Sequence, residues 1–173
     1  MRNEESGCPS EREAVDPLTF RRIVGQFATG VVVITTATQD GLHGLTVNAF
    51  CSVSLEPPLV LVCVDRLARG HDRIAQAGAF GISILSDRQE FLADRLAGRA
   101  PLVNARFDAA PYLVGVTGAP LLKGSIAWLD CRLWATYDGG DHSIFVGEVL
   151  AAALLDEQAT PLLFHAGRYR KGF

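Results

Sequence analysis

Between Thr46 and Ser54 the chain sets Thr46, Asn48, Ser52 and Ser54 at alternating positions, with Phe50 among them. In an extended segment these would form one row of short hydroxyl and amide groups. Such a row suits a ligand with a polar heterocyclic edge and a phosphate, aided by nearby backbone N–H groups. It equally fits a strand whose polar side meets water. A second candidate is Gly139-Gly140-Asp141-His142, which reads as a hairpin turn with a histidine at the start of the next strand. That histidine could donate to a phosphate or carboxamide, or move a proton near neutral pH, and it also fits a plain surface turn. Glu148 is a carboxylate inside the apolar run IFVGEV and calls for a partner such as an arginine. At the C-terminus, GRYRK places two arginines and a lysine around Tyr169. This tract suits contact with a phosphate-bearing ligand or a neighbouring subunit, or simple solvation.

Other chemistries lack a foothold. The sequence shows no Ser-His-Asp set, H-E-x-x-H or P-loop, and its four histidines have no metal-binding spacing. Four cysteines occur without a C-x-x-C pair, and Cys51 and Cys63 sit in strand-like runs as small hydrophobes. No G-x-G-x-x-G follows a strand. A net charge of −3 gives no reason to expect nucleic acid. The polar start does not read as a signal peptide, and no apolar stretch is long enough for a membrane span. These features point to a reducing, cytoplasmic setting.

The 173 residues suit one domain, with residues 1–15 as a flexible tail and 16–173 as the domain. Asp16-Pro17 starts a helix whose apolar face is Phe20, Ile23, Val24 and Phe27, with Gly30 as its end. VVVITT follows as a strand, then an Asp40-Gly41 turn. LTVNAFCSVSL reads as one strand, with Leu45, Val47, Ala49, Cys51, Val53 and Leu55 on its apolar side. LVLVCV is an internal strand, residues 68–78 a short helix, and FGISIL another strand. Asp87 caps a helix that turns Phe91 and Leu96 inward and ends before Gly98. Residues 99–124 are loop-rich. Two long strands around Gly139-Gly140 and a short final piece complete the chain. Six or seven strands in hairpin order, with three short helices, point to a mainly antiparallel sheet closed into a barrel.

Together FATGVVVITT (27–36), GLTVNAFCSVSLEPPLVLVCVDR (44–66), GAFGISIL (78–85), GDHSIFVGEV (140–149) and GRYR (167–170) resemble the short-chain flavin reductase family, the reductase components of two-component flavin-dependent monooxygenases. The resemblance covers about residues 17–173. It implies an antiparallel Greek-key split β-barrel that binds flavin (FMN or FAD), usually a homodimer, with NADH or NADPH as hydride donor and a separate oxygenase as recipient of reduced flavin. It assigns flavin contacts to Thr29, Gly30, Thr46, Val47, Asn48, Ala49, Ser52 and Ser54. Phosphate contacts fall to the DRLARGH segment through Arg66, Arg69 and backbone amides, although Leu67 and Gly70 stand where relatives often carry serine; Asp65, in the same segment, is counted with the cofactor-binding residues. Phe80, in GAFGISIL, joins the cofactor set. His142 is assigned to the nicotinamide side as the catalytic residue, with Tyr169 near the same pocket.

Overall fold

The computed structural model describes residues 14–98, 107 and 110–171, so all of the expected tail except Ala14 and Val15 lies outside the described residues. Helix α1 (Pro17–Val24) starts where Asp16 accepts a hydrogen bond from Thr19 N at 2.9 Å. It ends at Val24, earlier than Gly30, because Gly25 already closes the last turn onto Arg21. Gly30 instead belongs to a two-residue strand, β1 (Thr29–Gly30), paired with β11 (Leu162–His165), which in turn pairs with β12 (Arg168–Lys171).

The main sheet contains β2 (Val32–Thr38), β3 (Gly41–Val47), β4 (Phe50–Leu55), β5 (Pro58–Asp65), β6 (Ala79–Ile84), β9 (Ala127–Gly139) and β10 (His142–Leu154). Their order is β3-β2-β6-β9-β10-β5-β4, with every pairing antiparallel. β3 and β4 are the two edges, yet only Asn48 and Ala49 separate them in the chain. Three peptide units span at most about 11 Å, whereas a flat sheet of this width would set its edges about 29 Å apart. The sheet must therefore curl until its edges approach. Because β3 and β4 do not pair, the barrel stays split there.

Curling explains why Val31 to Ile34 are apolar without interruption. Val32 and Ile34 point into the barrel with Val47, Val62, Val64, Phe80, Ile82 and Phe145. Val31 and Val33 point outward into a second core with Leu85, Ala93, Leu96, Phe107, Leu122 and Leu162. Helix α2 (His71–Ala77) adds buried Ile74 to the barrel interior. Helix α3 (Glu90–Leu96) lies against the second core. A small hairpin, β7 (Tyr112–Val114) with β8 (Pro120–Leu122), occupies part of the loop-rich stretch, of which residues 99–106 and 108–109 lie outside the described residues.

Two further sequence expectations are corrected. LTVNAFCSVSL is two strands, and its alternation inverts at Asn48–Ala49. Leu45 and Val47 pack inside, but then Phe50 takes the inner side opposite Val62 while Cys51, Val53 and Leu55 are exposed. Passing from one edge to the other shifts the parity of the pattern, so Phe50 and Cys51 change face, until a bulge between Ser52 and Ser54 shifts it again. At α3 the start is made by Ser86 and Gln89 in a capping box, and Phe91 is 68% exposed while Ala93 and Leu96 face the core. No helix among the described residues is long and apolar enough to cross a membrane.

Candidate functional site

The expected site residues gather in two groups. In the first, Thr29 pairs with Phe164 and Phe164 with Tyr169, so all three stand in one row across the small sheet. The two rings meet edge-on with centroids 5.6 Å apart. Exposed Asn48 reaches this row, its Nδ2 donating to Thr29 Oγ1 at 3.2 Å. Beside Thr29, Gly30 is exposed, and a Cβ there would meet nothing within 4 Å. The space in front of this backbone is open. Ala49 is exposed, and its carbonyl accepts from Cys63 N at 3.0 Å.

The second group lies where β5 ends and β10 begins. Asp65 and His142 are register partners. Arg66 N donates to Asp141 O at 3.0 Å, and Arg66 Nε donates to His142 O at 3.3 Å. The Arg66 guanidinium also forms an ion pair with Asp138. Asp65 Oδ1 accepts from Leu67 N at 2.8 Å and shapes the turn, on which Leu67 and Arg69 are exposed. His142 Nδ1 lies 2.7 Å from Asp141 Oδ1. That hydrogen bond, then the imidazole's charge, holds the Asp141 carboxyl below its ordinary range. With Nδ1–H committed to Asp141, Nε2 is the ring nitrogen left for a ligand, an acceptor when the ring is neutral and a donor when it is protonated.

Cys63 connects the groups. It bonds Ala49 on one side and is the register partner of Ile144 on the other, two residues from His142. Along β5 the step from Cys63 to Asp65 is about 7 Å. One nucleotide-sized ligand can therefore touch both Asn48–Ala49 and the Arg66–His142 turn.

Other expected contacts fall elsewhere. Phe80 is 0% exposed inside the barrel, so its ring is core and presents no surface to a cofactor. Val47 is also interior, leaving only its backbone for a ligand. Thr46 Oγ1 donates to Ala93 O at 2.7 Å, which commits the hydroxyl to holding α3. A bulge at Val53 separates Ser52 from Ser54: Ser52 pairs with interior-facing Val60, and Ser54 with Leu59 on the other side. Ser54 Oγ accepts from Glu56 N at 3.2 Å and so stabilises the next turn. Glu148 has the arginine it called for, with Arg132 Nη2 donating to Oε2 at 2.5 Å. A cavity of about 610 Å³ beside α3, lined in part by Arg88, Leu92, Arg95, Lys123 and Leu155, contains none of the expected site residues.

Sequence reasoning missed Phe164, the Ala93 carbonyl and Asp138. Asp138 was within reach: it sits one residue before the Gly139-Gly140 turn, on the strand facing β10. Phe164 and Ala93 come to the site only through packing of distant segments.

The first group offers neutral donors, exposed backbone and an aromatic pair; the second offers cations and a histidine. This set fits a planar polar heterocycle with a phosphate, and a second heterocycle bearing a carboxamide. A family model described as a flavin reductase like domain matches residues 24–172. The chain is 41% identical over 165 residues to an NADH-dependent FAD reductase of Streptomyces globisporus, covering 92% of this chain and 89% of that protein. It is 38% identical over 157 residues to the reductase subunit HsaB of a flavin-dependent monooxygenase from Rhodococcus jostii (strain RHA1), covering 91% and 78%. Among solved structures, BorF, the flavin reductase component of a bacterial two-component tryptophan halogenase, superposes with a TM-score of 0.82 at 43% identity over 90% of this chain and 98% of that one. With the family model matching most of its length and relatives of this similarity, this chain belongs to the flavin reductase-like domain family, with that family's split-barrel fold.

Proposed function

We propose that this chain is an NADH-dependent flavin reductase that converts FMN or FAD to reduced flavin for use by a separate oxygenase component. The juxtaposition of Asn48, Thr29 and Tyr169 with the Arg66–His142 turn, bridged by Cys63, carries this reading. When bound, the two heterocycles supply the redox chemistry, a hydride passing from nicotinamide C4 to flavin N5. The protein's part is to hold and orient. Asn48, Thr29 and the exposed backbone at Gly30 and Ala49 would hold the ring and its chain, and Ser52 would extend that line. Tyr169 would close one side of the pocket. Arg66 and Arg69 would meet the phosphate, with Asp138 keeping the Arg66 fork in place beforehand. His142 would offer Nε2 to the nicotinamide carboxamide. No residue is required as an obligatory acid or base.

The chain acts as a homodimer in this reading. Helix α1 turns Leu18, Phe20 and Ile23 to solvent, at 70%, 56% and 63% exposure, and buries none of its residues within one chain. An amphipathic helix with its apolar side uncovered calls for a partner surface. Free Cys51, Cys63 and Cys131 support a reducing, cytoplasmic location. Reduced flavin reaches the oxygenase by diffusion.

The test is NADH and NADPH oxidation with FMN, FAD or riboflavin added separately. Turnover that depends on added flavin is expected. Flavin binding without turnover for any pair would leave a storage or sensing module in place of the enzyme. Light scattering on Ile23→Asp tests the dimer, which should shift toward monomer.

A further inference from the structure

The sequence has no recognisable Ser-His-Asp spacing, yet the fold builds such a chain beside the candidate site. His71, the first residue of α2, places Nδ1 2.7 Å from Asp72 Oδ1 and Nε2 2.8 Å from Ser143 Oγ. An ionised carboxylate only accepts, so Nδ1 carries a proton, and in the neutral ring Nε2 then accepts from the serine hydroxyl. The ring also lies 5.3 Å from the Phe145 ring, centroid to centroid. Ser143 is 5% exposed, so its hydroxyl is not presented as a nucleophile to an outside substrate.

Its place in the chain gives the arrangement a different use. Ser143 immediately follows His142, and the Gly139-to-His142 turn is also held at the strand ends, by Arg66, and by Gly140 N donating to Asp138 Oδ1 at 3.3 Å. Arg66 braces the backbone of Asp141 and His142. His71 braces the next residue from α2, and α2 is fastened to the barrel core by Ile74. We propose that His71 is a positioning residue for the His142 turn, acting through Ser143 and itself oriented by Asp72. The consequence for binding rests on the reading that His142 faces the nicotinamide. It loosens that side alone, since Asn48, Thr29 and Tyr169 are held by other elements.

The experiment compares His71→Ala, His71→Gln, Ser143→Ala and the double Ala variant, with His142→Ala alongside. Amide hydrogen exchange of residues 139–143 is followed in ligand-free protein, and flavin Kd, NADH KM and kcat are measured on the loaded enzyme. One such hydrogen bond corresponds to about a 3- to 10-fold effect. Exchange and NADH KM should rise by that factor in both single Ala variants, no further in the double variant, with flavin Kd and kcat held. His71→Gln, which keeps an amide acceptor near Nε2, should recover part of the loss. Unchanged exchange, additive effects in the double variant, or a parallel weakening of flavin binding would overturn the proposal. If His142→Ala leaves NADH KM unaltered, the nicotinamide reading fails, while the exchange rates still decide whether His71 holds the turn.

Discussion

Asn48 Nδ2 donates to Thr29 Oγ1 at 3.2 Å, tying the crossing between the two barrel edges to the first strand of the small sheet. The bond joins residues 19 apart in the chain, both near open space. Its partners are at the surface, so it does little for stability and is available for recognition. Asn48→Ala should weaken flavin binding about tenfold, the worth of one to two hydrogen bonds. Its thermal midpoint should stay near that of the parent, as for most surface substitutions. Fluorescence titration with FMN and FAD, paired with a melting curve, checks both; a large loss of stability would make Asn48 a fold residue instead.

Gly147 is needed for barrel closure. A Cβ at this position would lie 2.5 Å from Phe80 Cζ and 2.9 Å from Cys131 Cβ. Gly147→Ala should cost about 1–3 kcal/mol through overpacking. Adding Phe80→Leu should return part of that loss if the ring is the obstacle. Urea denaturation of the two variants measures it, and a neutral Gly147→Ala would show that the interior yields more readily than described.

Cysteine reactivity should follow burial. Burial first, and then the charge of Asp130, push the Cys131 thiol up to about 12. Burial also raises Cys63. Cys51 is exposed on β4. The thiolate is the reacting form, so among these three, alkylation near pH 8 should label Cys51 first, Cys63 slowly, and Cys131 only after unfolding. Peptide mass spectrometry over time gives the order, and early labelling at Cys131 would contradict the packing around it.

His43 gives the fold a pH dependence. It lies 3.3 Å from Thr38 Oγ1, close to the Arg73–Asp40 ion pair. Burial, then the charge of Arg73, lowers its pKa below 6.5, with Asp40 opposing. The unfolded chain therefore binds more protons between the folded and unfolded values. This contribution is fully present above about pH 6.5 and is lost as pH falls toward the lowered folded value. His43→Gln should flatten that part of the stability profile, read as the urea midpoint across about pH 5 to 8. An unchanged slope would assign the effect to another group.

Much of this protein was legible in local pattern. The helix start at Asp16-Pro17, the Asp40-Gly41 and Gly139-Gly140 turns, the two-sided apolar runs and the long paired strands all depend on residues close in the chain. Local periodicity records which neighbours share a face, and that is enough to name the elements and the barrel class. The ordered set of motifs also carried the family.

Three particulars needed the tertiary structure. The inversion at Asn48–Ala49 arises because the chain leaves one sheet edge and joins the other. Phe80 lies in a motif shared with the site, yet closure places its ring against Gly147, where only the interior can use it. Arg66 with Asp138, and His71 with Ser143, meet across 72 residues in each case. Sequence determined the strands and the types of side chain available for binding; barrel closure decided which of them share a site, because contacts between distant segments leave no period in the chain.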